Sequence, residues 1–356
     1  MSKKRNEKFK IGISCGDMNG VGMEVIMKTF MDPRMFDFCI PIVYGSMKAA
    51  NFYRKKLNYN DFSFHQIDSP EKAHAKKLNF IQVGDDSLFV DFGKSSKEAG
   101  ELAFMALEKA TEDLAANYTD ILVTAPINKH NMQSDKFNFP GHTEYLANYA
   151  NEENPIMLLC HDELRVGIVT GHIPLKEVSN VLTEELILKK LSVFHKSLTQ
   201  DFLINRPKIA VLGLNPHAGD NGVIGNEEID IIIPAIEKAQ NEGIYAFGPF
   251  PADGFFGSSQ FKQFDGVLGM YHDQALAPFK ALSFDAGVNY TAGLPIVRTS
   301  PDHGTGYGIA GKGLASEGSF RHAVYLAYDI FSNRKLHREV SADPLVSNPR
   351  HEKNHH

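Results

Sequence analysis

The run KIAVLGLNPH (208–217) sets the reading of the whole chain. Positions 208–214 are of strand length and almost continuously apolar, which suits a strand covered on both faces of a parallel sheet. Asn215 and Pro216 then stop it, and His217 stands just past its end. Three other runs follow the same plan. ILVTA (121–125) stops at Pro126, LRVGIVT (164–170) at Gly171-His172, and FDGVLGMY (264–271) at His272-Asp273. Short apolar runs alternate with amphipathic stretches almost throughout, which predicts βα units around a mostly parallel sheet.

Toward the amino terminus, KIGIS (10–14) and FCIPIVYG (38–45) read as further strands, and a helix is expected from about Met23. Ser95 and Glu98 have the spacing of a capping box. The helix after them places Ala99, Leu102, Ala103, Ala106, Leu107 and Ala110 on one face. A chain of 356 residues exceeds one ordinary core. Two α/β domains are expected, 1–135 plus 300–356 and 136–299, with no Pro/Gly/Ser linker to mark the border.

Composition narrows the function. A hydrophobic fraction of 43% and a charged fraction of 22% are those of a soluble globular protein. A formal charge of −6 gives no electrostatic case for nucleic acid or an anionic membrane surface. Any bound phosphate must therefore be held by a few placed groups. The three cysteines, Cys15, Cys39 and Cys160, are too scattered for a disulfide framework or a thiolate metal site. The basic start MSKKRNEKFK lacks the apolar segment of a signal peptide, and no apolar run approaches the roughly 18 residues of a membrane span. A reducing compartment fits, and a cytoplasmic place is expected. The end, RHEKNHH (350–356), reads as a solvated tail rather than a chelating one.

His172, His217 and His272 occupy the same place in three units, just beyond the carboxyl end of a strand. Such ends lie along one edge of a parallel sheet, where open α/β folds bind ligands. Three neutral imidazoles with an open position are the pattern of a catalytic metal site. A histidine in such a loop is also often a plain surface residue, so the pattern alone leaves the metal open.

In PGHTEYL (140–146), Thr143 has the chemistry of an N-cap, and His142 would face whatever binds at that helix start. Lys280, Asn289 and Arg298 lie in otherwise apolar or small-residue surroundings near the His272 unit, as anion-binding groups would, and isolated surface polar residues are the alternative. Gly16–Gly22 follows a strand and precedes a helix, but its spacing is neither of the two established nucleotide patterns. A second glycine-rich stretch, 302–313, offers close backbone approach to a ligand or a flexible loop.

At these residues the chain resembles the 4-hydroxythreonine-4-phosphate dehydrogenase family of vitamin B6 biosynthesis. The carrying motifs are GDMNGVGMEV (16–25), VTAPINK (123–129), FPGHTEYLA (139–147), TGHIPL (170–175) and GLNPHAGD (213–220). They continue with GPFPADGFF (248–256), MYHDQALAPFK (270–280), GVNYTAGLPIVRTS (287–300) and DHGTGYGIAGKG (302–313). The likeness runs from about residue 10 to about residue 325.

The resemblance implies a two-domain α/β fold like that of the isocitrate and isopropylmalate dehydrogenases, with mostly parallel sheets, a central cleft and a homodimer whose subunits share each active site. It implies that His172, His217 and His272 bind a divalent metal, zinc or else magnesium or cobalt. His142, Thr143, Lys280, Asn289 and Arg298 would contact substrate. NAD or NADP would lie by Asp302, His303, Gly304 and Thr305, which accounts for the missing Rossmann fingerprint. Asp253 and Asp273 are candidates for metal-ligand support or proton transfer. The implied reaction oxidises 4-phosphooxy-threonine to 2-amino-3-oxo-4-(phosphooxy)butanoate, which decarboxylates to 3-amino-2-oxopropyl phosphate.

The chain departs from the family pattern at Met18 and Met23, where proline is usual, and at Asn19, where small residues are. It departs also at Gly306, where alanine is frequent, and at Gly254, where threonine is common. None is an expected metal or substrate position. The rivals are a relative acting on threonate or erythronate 4-phosphate or a dihydrodiol, a metal-dependent hydrolase, and a non-catalytic protein of the same fold.

Overall fold

The computed structural model describes residues 8–85 and 89–342. The carboxyl-terminal tail and most of the basic start lie outside the described residues. Among the described residues twelve strands form one sheet: β1 (Phe9–Ser14), β2 (Cys39–Gly45), β3 (Phe64–Ile67), β4 (Leu78–Gln82), β5 (Ile121–Thr124), β6 (Ile156–His161), β7 (Leu164–Ile168), β8 (Lys208–Leu212), β9 (Tyr245–Phe250), β10 (Gly266–Gly269), β11 (Val288–Ala292) and β12 (Arg298–Pro301). Their order is β3-β4-β2-β1-β5-β12-β11-β6-β7-β10-β8-β9.

The expected mostly parallel sheet is present. Antiparallel pairing is confined to the centre, where β11 pairs with β12 and β6, and β6 with β7. Strands from 9–124 together with β12 make one side, and strands from 156–292 the other. The apolar runs of the sequence are these buried strands: Ile11, Ile13, Ile42, Val43, Val123, Ile209, Val211 and Leu268 are fully buried.

Three helix starts differ from those expected. The long helix Lys97–Ala115 is capped by Ser96, whose hydroxyl accepts from the Ala99 amide, so the cap lies one residue beyond the expected Ser95. Ser95 instead accepts from the Asn128 side chain. The helix His142–Tyr149 has Gly141, not Thr143, at its N-cap, which frees the Thr143 hydroxyl to meet Thr291 at 3.2 Å. The helix after the first glycine-rich loop spans Gly22–Phe30, one residue earlier than expected.

Candidate active site

Strands β7, β10 and β8 are adjacent and mutually parallel, so their carboxyl ends share an edge as expected. The structure brings two of the three histidines together there. The rings of His172 and His272 lie 5.8 Å apart, centroid to centroid, and both line a cavity of about 270 Å³. His217 does not join them within one chain. It is exposed, in a segment where residues 217–221 all take left-handed backbone angles. Glu228 holds the start of that loop by accepting from the Leu214 and Asn215 amides. Among the described residues of the single chain, no group of three or more His, Cys, Asp or Glu side chains is placed to hold a metal ion.

The donor chemistry of the pair still suits a cation. His272 Nδ1 lies 2.6 Å from Asp273 Oδ1, and His172 Nδ1 lies 3.5 Å from Glu144 Oε1. A carboxylate on one ring nitrogen fixes the tautomer and leaves Nε2 with its lone pair, the usual support for a metal-bound imidazole. At His172 a cation already sits on that lone pair: the Lys129 ammonium donates to Nε2 at 3.0 Å. Burial lowers the Lys129 pKa, with Glu144 working against it. Burial works hardest on Glu144 and would raise its pKa, but the His172 hydrogen bond, a backbone hydrogen bond and the nearby His172 and Lys129 charges together lower it. Asp273 is exposed beside His272, whereas Asp253 is exposed on the short helix Ala252–Gly257, which packs against the His217 loop.

The anion-binding expectations meet in the same cavity. His142, Thr143, Lys280, Asn289 and Arg298 all line it. Arg298 is 2% exposed and has no carboxylate partner among its hydrogen bonds. Its Nε and Nη2 donate to Thr124 Oγ1 at 3.1 and 2.6 Å, Nη1 donates to Thr291, and Nη2 donates to His142 Nδ1 at 3.0 Å. Burial opposes its charge. Burial, then Arg298, then Lys129 also hold the His142 pKa well below the usual value, so the ring is neutral near pH 7. With Nδ1 accepting from arginine, Nε2 carries the proton, and that buried donor has no partner among the described residues. Asn289 Oδ1 is likewise a buried acceptor without one. A buried cation that hydrogen-bonds no carboxylate among the described residues, with Glu144 as the nearby charge that favours it, stands beside a donor and an acceptor without partners, and such a set suits a polar anionic ligand.

Asp302, His303 and Gly304 reach the cavity rim, with Lys280 3.1 Å from Asp302. Thr305 is turned inward, its carbonyl accepting from the Val21 amide. A larger cavity of about 640 Å³, beside the Asp201–Arg334 ion pair, holds none of the expected site residues. Three contributors went unread in the sequence: Thr124, Lys129 and Glu144. Lys129 had a signal, since it follows the end of β5 much as the histidines follow theirs.

Known proteins resemble the chain in sequence and in fold. The family described as pyridoxal phosphate biosynthetic protein PdxA matches residues 37–327. A 4-hydroxythreonine-4-phosphate dehydrogenase from Bacteroides thetaiotaomicron is 52% identical over 95% of this chain and 93% of its own length. A solved 4-hydroxythreonine-4-phosphate dehydrogenase from Klebsiella pneumoniae superposes with a TM-score of 0.78 at 33% identity, covering 91% of this chain and 100% of that one. A terephthalate 1,2-cis-dihydrodiol dehydrogenase from Burkholderia xenovorans shares the fold at 21% identity and a TM-score of 0.59, covering 91% and 98%. The match over residues 37–327 and the close relatives together establish that the chain belongs to the PdxA family of pyridoxal phosphate biosynthetic proteins.

Proposed function

We propose that the chain is a metal-dependent, NAD- or NADP-linked 4-hydroxythreonine-4-phosphate dehydrogenase of pyridoxal phosphate biosynthesis. Buried Arg298, hydrogen-bonded to no carboxylate among the described residues, in the cavity that holds His172 and His272 is the observation that carries this reading. Arg298 and the His142 Nε2–H attract the substrate phosphate, with Thr143 and Lys280 beside them. Asn289 Oδ1 accepts from the substrate's amino or hydroxyl group, which supplies the donor it lacks.

His172 and His272, oriented by Glu144 and Asp273, would hold the divalent ion together with His217 of a second copy, and Asp253 would come with that His217 loop. The bound ion supplies Lewis acidity at the C3 hydroxyl, and the nicotinamide supplies the hydride acceptor. Lys129, which donates to His172 Nε2, would give up that contact to a bound ion and remain a cation lining the same cavity. Asp302, His303 and Gly304 are the proposed cofactor contacts from this cavity, with Thr305 behind them. The halves 1–135 plus 300–356 and 136–299 would serve as cofactor and substrate units of a homodimer. No helix among the described residues is long and apolar enough to cross a membrane, and a cytoplasmic place for the enzyme is part of the proposal.

The test is growth of 340 nm absorbance with 4-phosphooxy-threonine and NAD or NADP. Chelation should abolish it and added zinc, magnesium or cobalt restore it. Faster turnover of threonate 4-phosphate, erythronate 4-phosphate or a dihydrodiol would move the substrate to that relative. Phosphate release without reduced cofactor would favour the hydrolase.

A further inference from the structure

The glycine-rich loop Gly16–Gly22 touches no cavity of the proposed site, and residues 11–27 are buried throughout. Its hydrogen bonds go instead to the second glycine-rich loop. The Val21 amide donates to the Thr305 carbonyl at 2.8 Å, and a Cβ on Gly20 would come within 2.6 Å of that oxygen. Asp17 is fully buried, and its Oδ2 accepts from the Tyr307 hydroxyl at 2.6 Å and the Asn131 side chain at 2.8 Å. At the far end, Glu24 accepts from the Ala315 amide at 2.9 Å, and Lys28 donates to the Gly313 carbonyl at 2.9 Å.

A third segment closes the other face. The Asn19 side chain accepts from the Asp91 amide at 2.8 Å and donates to the Lys94 carbonyl at 2.9 Å, while its carbonyl accepts from the Gly93 amide. Gly93 then lies against the Tyr307 carbonyl, and the Phe92 ring against Gly311. Asn19 is one of the departures from the family pattern, and the tether of 91–94 is what it provides. Met18 and Met23, two others, are buried packing.

The outer face of the gripped loop is free. Gly304 and Gly308 have nothing within 4 Å of where a Cβ would stand, and neither has a positive φ. Among the described residues, neither internal packing nor backbone conformation requires glycine there, and the open face leaves room for a ligand to come close to the backbone.

We propose that Asp17 and Asn19 are positioning residues for the nicotinamide cofactor, acting through Tyr307 and segment 91–94 to hold residues 303–313 in the binding shape. The inference rests on the reading that this loop meets the cofactor. A loop held in its competent form binds more tightly by the inverse of the fraction otherwise populated. The test uses the full chain with divalent metal and compares Tyr307→Phe and Asn19→Ala with the unaltered protein. Fluorescence titration should show NADH or NADPH binding weakened about tenfold. The KM for 4-phosphooxy-threonine should stay within about twofold, and amide exchange of 303–313 should quicken. Unchanged exchange would overturn the tether. Quickened exchange with unchanged NADH and NADPH affinity would keep the tether but overturn the cofactor reading beneath it. Equal losses for cofactor and substrate would show mere support of the whole site, and so contradict the proposal.

Discussion

Replacing His272 by alanine should lower kcat/KM by about a thousandfold, the several kcal/mol that a Lewis-acid ion would contribute at the reacting hydroxyl. The loss follows from position. His272 opens the helix His272–Ser283 at the end of β10, beside the His172 ring and fixed by Asp273. Half-exposed and away from the core, it can be truncated without unfolding the sheet. Metal content measured beside the rate separates causes: the variant should be folded, metal-poor and inactive. A folded variant with full metal and full activity would remove the imidazole pair from the chemistry.

Arg298→Ala should raise KM for the phosphorylated substrate far more than KM for the cofactor. Removing one partner of a buried charged contact costs about 2–5 kcal/mol, roughly 30- to several thousand-fold in kcat/KM. Thr124→Val tests the same geometry more gently. It keeps the shape of the side chain and deletes the oxygen that accepts from both Nε and Nη2. Losing a hydrogen bond to a charged group costs about 1.5–3 kcal/mol, so a loss of about ten- to a hundredfold is expected, with Thr124→Ser restoring most of it. Equal rises in both KM values would make Arg298 a structural cation.

The strand-end histidines were legible because a parallel sheet gathers the ends of distant strands, and β7 and β10 are neighbours. His217 follows β8, one strand further out, and the turn after Asn215 carries it into solvent; periodicity carries no information about that turn. Thr124 was unreadable for a related reason. It looks like any β-branched strand residue, and becomes the seat of Arg298 only because β12 pairs with β5 in the register Arg298–Leu122. Antiparallel pairing at the sheet centre was equally hidden, since β6, β11 and β12 are short and their partners are set by the fold. The capping error at Ser95 came from two adjacent serines, which spacing alone cannot rank.

The central claim is that one subunit's His172 and His272 meet the other's His217. Mixing inactive His217→Ala and His272→Ala subunits, after dissociation and reassociation, tests it directly. Each mixed dimer would carry one intact site and one doubly altered site, so about a quarter of the unaltered rate should return at random pairing. If each subunit holds its own metal, no mixture recovers activity, and an inactive mixture of folded, reassorted dimers would contradict the shared site.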